Sequence, residues 1–231
     1  NWKAGGSAVS NSNGTITSSV SANPSAGFSI VSWVGDGANG TVGHALSKKP
    51  ELIITKNRTS VNKWYTYTDI IDGTSDYLSL ETSAAVGASG TAVATSSVFE
   101  NDGHAGTESL IAYCFHSVDG HSKVGSYTGN GNADGPFVHC GFKPAWVMVK
   151  RTDVAENWWI LDNKRNPYNA VDTALRSNAS SVDVVSPTKY EQDFVSNGIK
   201  LKTADLDVNA SGGTYIFLAF AESPFKHSNA R

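Results

Sequence analysis

Asp36, Asn130 and Asp134 stand in two glycine-studded loops, VGDGANG and GNGNADG, where oxygen-bearing side chains are the first candidates for chemistry. Two chemistries suit such loops. GDGANG, residues 35–40, has the G-x-G-x-x-G spacing, which at a dinucleotide site opens directly into a helix whose amides face the pyrophosphate. Here TVGHALSKKP follows, with glycine, β-branched residues and a proline, and the sister loop breaks the spacing. Those glycines are therefore expected to be turn residues. The other chemistry is Ca²⁺ binding, which needs several oxygens converging on one point. Neither loop has that acidic density, so Asp36, Asn130 and Asp134 read first as solvated turn residues and second as ligand contacts. No metal and no cofactor is expected.

The remaining reactive side chains form no recognisable set. The six histidines, at 44, 104, 116, 121, 139 and 227, lack zinc spacing. His44 and His139 occupy near-equivalent places after a strand, which favours a shared structural hydrogen bond. There is no G-x-S-x-G elbow, and no acidic pair stands out for glycoside hydrolysis. No catalytic residue is assigned. Cys114 and Cys140, in AYCFHSV and PFVHCGF, read as buried thiols, with a single disulfide as the alternative.

Aromatic side chains are the better binding candidates. Trp64-Tyr65 and Trp158-Trp159 are adjacent pairs, and neighbours on a strand face opposite ways. One of each pair is expected in the core. The other, Tyr65 or Trp159, is a candidate for stacking on a sugar ring, with packing at a seam between copies as the competing reading.

The elements that position these residues are short strands. FSIV, LIIT, WYTY, YLSL, SVF and LIAYCF recur in kind as VGSY, WVMV, WWIL, IKLK and YIFLAF, separated by Gly, Asn, Asp and Ser. No segment keeps a capped i, i+3, i+4, i+7 apolar stripe, so little helix is expected. The recurrence is a repeat. At a shift of 94 residues Trp33 falls on Tyr127, Gly35 and Gly37 on Gly129 and Gly131, Lys56 on Lys150, and Trp64 on Trp158. LIAYCF meets YIFLAF at a shift of 105, so the second copy carries 11 extra residues, expected within 166–194.

The fold class is thus all-β, with two tandem β-sandwich-like modules over 27–122 and 123–231. Residues 3–26 are expected to be a polar linker or a short exposed ribbon that needs another surface to lie on. Asn13-Gly14 supplies its turn signal.

Composition narrows the partners. Charged residues make up 17% of the chain and the formal net charge is −3 with no basic cluster, which argues against a nucleic-acid or anionic-membrane surface. No apolar run approaches a membrane span. The only methionine is Met148 and no signal peptide is evident, so the chain is expected to be a processed product or a fragment of something longer.

Larger blocks carry a resemblance: GFSIVSW, VGH, LIITKNR, FHSVDGHSKVGSYTGNGNADGPFVH, GFKPAWVMVKRTD, DNKRNPYN, FVSNGIKLKT and NASGGTYIFLAFAESPFK. Together they resemble an uncharacterised tandem-repeat family of large structural proteins in marine tailed bacteriophages. NWKAGG resembles the exit of a preceding unit, which implies that residues 1–26 hold that end followed by the polar linker or ribbon. The resemblance implies a virion-surface component, such as a tail fibre or decoration protein, with no catalytic residues to carry across. It also implies a homo-oligomer, a trimer being the usual form of such fibres, set among other virion structural proteins.

The leading expectation is a structural and adhesive module that attaches to a host surface glycan by avidity. The loops at 35–43 and 129–137 and the insertion at 166–194 are the expected contact regions. A carbohydrate-binding module of a secreted bacterial protein is the alternative. An enzyme such as a capsule depolymerase has the least support.

Overall fold

The computed structural model describes residues 3–37, 39–88, 94–101, 106–186 and 188–224. Ala38 and Pro187, which fall in regions singled out above, lie outside those residues, as do His104 and His227. Among the described residues the chain is all-β, with nineteen strands and a single four-residue α-helix. It divides into two compact units, one of residues 1–79 and 87–117 and one of residues 80–86 and 118–231.

The first unit contains β1 (Val9–Asn11), β2 (Ser18–Asn23), β3 (Phe28–Val34), β4 (Thr41–Gly43), β5 (Leu52–Asn57), β6 (Trp64–Thr68), β7 (Asp76–Ser79), β8 (Gly87–Ala88), β9 (Val98–Glu100) and β10 (Ser109–Phe115). Eight of these form an antiparallel sheet in the order β1-β2-β3-β10-β5-β6-β7-β8, while β4 pairs with β9. The second unit contains β11 (Ser122–Thr128), β12 (Phe137–His139), β13 (Pro144–Arg151), β14 (Trp158–Asp162), β15 (Thr173–Arg176), β16 (Val184–Val185), β17 (Gln192–Val195), β18 (Gly198–Leu201), α1 (Leu206–Asn209) and β19 (Thr214–Ala221). Its main sheet runs β11-β19-β13-β14-β15-β16, and β12, β18 and β17 make the smaller one. Apart from the β1-β2 ribbon and β17, the two orders are the same.

Register makes the equivalence specific. In the first unit Trp33 faces Leu110, Ile111 faces Lys56, and Lys56 faces Trp64. In the second Tyr127 faces Tyr215, Ile216 faces Lys150, and Lys150 faces Trp158. A one-residue slip would turn every apolar side chain to the wrong face, so a shared register means a shared interior. Each interior is the space between a large and a small sheet. In the first unit Val31, Trp33, Ile53 and Leu110 meet Val42 and Phe99. In the second Val149, Trp159, Tyr215 and Phe217 meet Val138, Phe194 and Ile199.

The glycine echo follows from the same plan. Gly35 N–H donates to Glu108 O and Gly129 N–H to Gly213 O, both at 2.9 Å, which closes the main sheet where the chain leaves it. Two residues on, Gly37 and Gly131 have φ of +82° and +64°, a region costly for residues with a Cβ.

The extra residues of the second unit are not confined to 166–194. The shift is 94 at β11, β13 and β14, 96 at β12 between them, 97 at β15 and β16, 100 at β18 and 105 at β19. Five of the eleven therefore lie in the loop 202–213, which contains α1. Paired strands fix the register, so length differences accumulate in the loops between them. The polar 3–26 segment finds its surface on β3: β2 pairs along it from Ser18↔Trp33 to Asn23↔Phe28, and Ile16 and Val20 enter the core. Lys3–Gly6 forms no strand and runs beside β2, where Ser21 Oγ donates to Gly6 O at 2.8 Å.

In the second unit the long loop is pinned by a phenol. Tyr215 Oη donates to Leu206 O and accepts from Ala210 N–H, each at 2.8 Å, and its ring stacks on Tyr127 at 4.8 Å. Tyr215→Phe keeps the ring and leaves the buried Ala210 amide without its acceptor, which costs about 1–3 kcal/mol. Urea unfolding followed by tryptophan fluorescence is expected to show that loss, with the slope unchanged.

Candidate functional site

The described surface of the first unit holds an open groove of about 600 Å³ between the β1-β2 ribbon and the outer end of β3. Its lining is dominated by hydroxyls, including Ser10, Thr17, Ser19, Ser32 and Ser109, with the Asp36 carboxylate and the Arg58 guanidinium also at its wall. The groove arises from strand alternation. β2 and β3 turn Ser19, Ser32 and Val34 outward while Val20, Val31 and Trp33 go inward. Val34 is 57% exposed and gives the groove an apolar spot. Two hydroxyls bond to backbone: Ser18 Oγ to Gly43 O at 2.9 Å and Ser32 Oγ to Ser19 O at 3.4 Å. Such a surface offers many neutral donors and acceptors and one charge of each sign, which matches a polyol or sugar better than a hydrophobic ligand.

Of the residues singled out from sequence, Asp36 lines this groove, and Tyr65 lies elsewhere in the same unit. Tyr65 is half-buried against Tyr67 at 6.0 Å and Tyr77 at 5.7 Å, a packed aromatic cluster on the main sheet. Trp159 is not exposed at all: at 2% exposure it belongs to the second core, with Tyr190 at 4.3 Å and the Arg176 guanidinium 5.2 Å from its ring centre. The expectation of an outward partner for each tryptophan fails in this unit because both faces of β14 are covered. Trp158 is 1% exposed on the other side.

Asn130 and Asp134 are parts of a loop scaffold whose centre sequence reasoning missed. Buried Asn209 accepts from Asn130 N–H at 2.8 Å and donates through Nδ2 to Asn130 Oδ1, Asn132 O and Thr203 O at 2.7–3.0 Å. Asn130 Nδ2 in turn donates to Asp134 O at 2.9 Å. Asp134 faces solvent and pairs with Lys200 at 2.6 Å, and that hydrogen bond holds its carboxyl below the ordinary range. Asn209 sits 79 residues from Asn130, so only the fold joins them.

Three further expectations change. His44 is fully buried, with Nε2 3.2 Å from Thr95 O and Nδ1 accepting from Leu46 N–H at 3.1 Å. Burial pushes its pKa down, so it is a neutral structural histidine. His139 is exposed and its register partner in the first unit is Gly43, not His44; the shared hydrogen bond does not exist. Cys114 and Cys140 are both free and buried, and burial pushes each thiol up to about 12, far from a reactive thiolate.

Two carboxyls are perturbed in the direction a general acid needs: Asp76, raised by burial and then by the charge of Asp72, and Asp207. Burial first, then the charges of Glu156 and Asp205, raise Asp207 to about 6, and Tyr190 Oη lies 3.3 Å from its Oδ2. Glu156 and Asp207 are far apart in sequence, so nothing short-range signals the pairing. Among the described residues no group of His, Cys, Asp and Glu has metal-holding geometry.

The Asp207 shift has a stability consequence with a definite sign. A carboxyl whose folded pKa is raised binds its proton more tightly in the native state. It therefore contributes stability below the unfolded pKa of 3.8 that is lost as pH rises through about 6. Asp207→Asn removes that dependence. Between about pH 4 and pH 6 the stability of wild type minus that of Asp207→Asn is expected to fall steadily, as read by paired urea titrations.

The comparisons with known proteins are few. Neither the curated proteins nor the solved structures returned a match. One family model covers residues 1–224, spanning both units and the segment that joins them, and on that match the chain belongs to the family described as a domain of unknown function, DUF7483.

Proposed function

We propose that this chain is a non-catalytic surface module of a phage virion, a tail fibre or other fibre or decoration component. It displays polar rims on a stiff β-scaffold and attaches to a host surface glycan. The observation that carries this reading is the hydroxyl-lined groove on one of two units whose interiors are built alike. Positions that hold the fold keep their register between the units, whereas two groove positions change character: Val34 and Arg58 correspond to Thr128 and Thr152, while Ser109 keeps a hydroxyl as Thr214. Divergence at a rim over a preserved core is how a scaffold acquires a binding surface.

Attachment by such a surface works through number. A neutral, open groove gives a weak single contact, and many copies displayed together convert it into firm adhesion. Extracellular location on the virion, homo-oligomeric assembly and contact with other virion proteins belong to this reading. A carbohydrate-binding module of a secreted bacterial protein would share the groove but would bind its sugar tightly as a single copy.

The test is a glycan array probed with the chain as a monomer and as a bead-displayed multimer, beside Ser19→Trp, which fills the groove from an exposed strand position. The multimer is expected to bind at least one bacterial surface polysaccharide. The monomer should bind about 100-fold more weakly or less, and the Ser19→Trp multimer not at all. Tight monomeric binding supports the secreted module instead. No binding, or binding untouched by Ser19→Trp, overturns the groove as the attachment site.

A further inference from the structure

The two units also differ on the sheet face turned away from the core. In the second unit that face is closed: Lys150, Thr152, Trp158, Ile216 and Leu218 are each at most 3% exposed. Residues 80–86 belong to that unit and lie against the end of this stripe. Lys150 Nζ donates to Ser83 O at 3.4 Å, and Val86 N–H donates to Thr152 O at 2.9 Å. In the first unit the same positions are Lys56, Arg58, Trp64, Ile111 and Tyr113, and every one of them is partly or fully exposed. The backbone geometry is equivalent, since Arg58 N–H donates to Ser109 O as Thr152 N–H donates to Thr214 O.

The segment 80–86 has its own counterpart. It joins β7 to β8, and both strands align with β15 and β16 at a shift of 97, so its partner in the repeat is 177–183, SNASSVD. Residues 179–183 of that loop are exposed, Val182 at 86%. Among the described residues the chain thus carries one stripe with its loop against it, one stripe that is partly exposed, and one loop that is exposed over 179–183 while Ser177 and Asn178 hold its start in place.

We propose that a second copy of this chain supplies the equivalent contact, laying its exposed 179–183 segment along Lys56 and Arg58 of the first unit, where Lys56 Nζ otherwise donates to Asn62 O of its own chain. Carried over position by position, Lys56 Nζ donates to Ser180 O and Asp183 N–H donates to Arg58 O. That placement sets the Asp183 carboxylate beside the Arg58 guanidinium. Where the internal contact has Val86 and Thr152, the contact between copies has opposite charges, which suits an interface that must form between separate chains. Asp183 leaves only an exposed pairing with Arg165 at 3.3 Å, and such pairs contribute little. Because loop and stripe are different surfaces, the contact is head-to-tail, and repeated use of it gives a closed ring or an open filament.

This proposal does not depend on glycan attachment: Arg58 also stands at the groove wall, but the test reads self-association rather than sugar binding. Sedimentation velocity of the full chain over about a hundredfold range of concentration is expected to show reversible self-association. Asp183→Arg alone and Arg58→Asp alone should each weaken it about tenfold or more, and the double variant should restore it to within about threefold. Both positions are exposed, so the variants should fold, and thermal melts check that they do. A chain that stays monomeric, association indifferent to either single reversal, or a double variant that fails to recover would each overturn the proposal.

Discussion

Everything in this molecule depends on the register of three antiparallel strands at the middle of each main sheet, β3-β10-β5 and β11-β19-β13. Along them the side-chain period of two sorts residues into a core face and an outer face with no tolerance for a slip. Leu110, Ala112 and Cys114 go inward in one unit, and Tyr215, Phe217 and Ala219 take the same places in the other. The identities differ widely. What is kept is which face each position serves and what stands opposite it.

That constraint explains where the two units are free to differ. The turn glycines are held because a loop must leave the sheet with positive φ, and the strand ends are held by equivalent backbone bonds. Loops between strands have no such requirement. The second unit uses the freedom in its 202–213 loop, with α1 and the buried Asn209 bracing the 129–135 loop. The first unit uses it at its N-terminal side, where a two-stranded ribbon widens the sheet and creates a hydroxyl-lined groove. One scaffold thus supports two different rims.

Much of the fold was legible in the sequence, because strands with aromatic or β-branched residues between glycine and asparagine turns announce themselves locally. The equivalence of Trp33 with Tyr127 and of Lys56 with Lys150 was visible because strand length leaves little room for indels. The site was far less legible. Trp159 looked available because alternation sends one of two neighbours outward, but alternation does not say whether the outer face is covered, and here it is. Asn209 and Asp207 were invisible because the fold alone brings Asn130 to the one and Glu156 to the other. The groove was hidden for a related reason: serine and threonine are so common here that no subset stands out until β2 and β3 are paired. His44 and His139 misled by a single residue, which in a β-strand is enough to change the face.

The claim that two differing sequences share one interior plan is tested most directly by cross-strand backbone NOEs from the isotopically labelled chain. Those between β10 and β5 and between β19 and β13 decide it. The shared plan requires contacts that pair Ile111 with Lys56 and Ile216 with Lys150, continuing residue for residue along both ladders. A ladder offset by even one residue in either unit, or a different neighbour for β10 or β19, would contradict it.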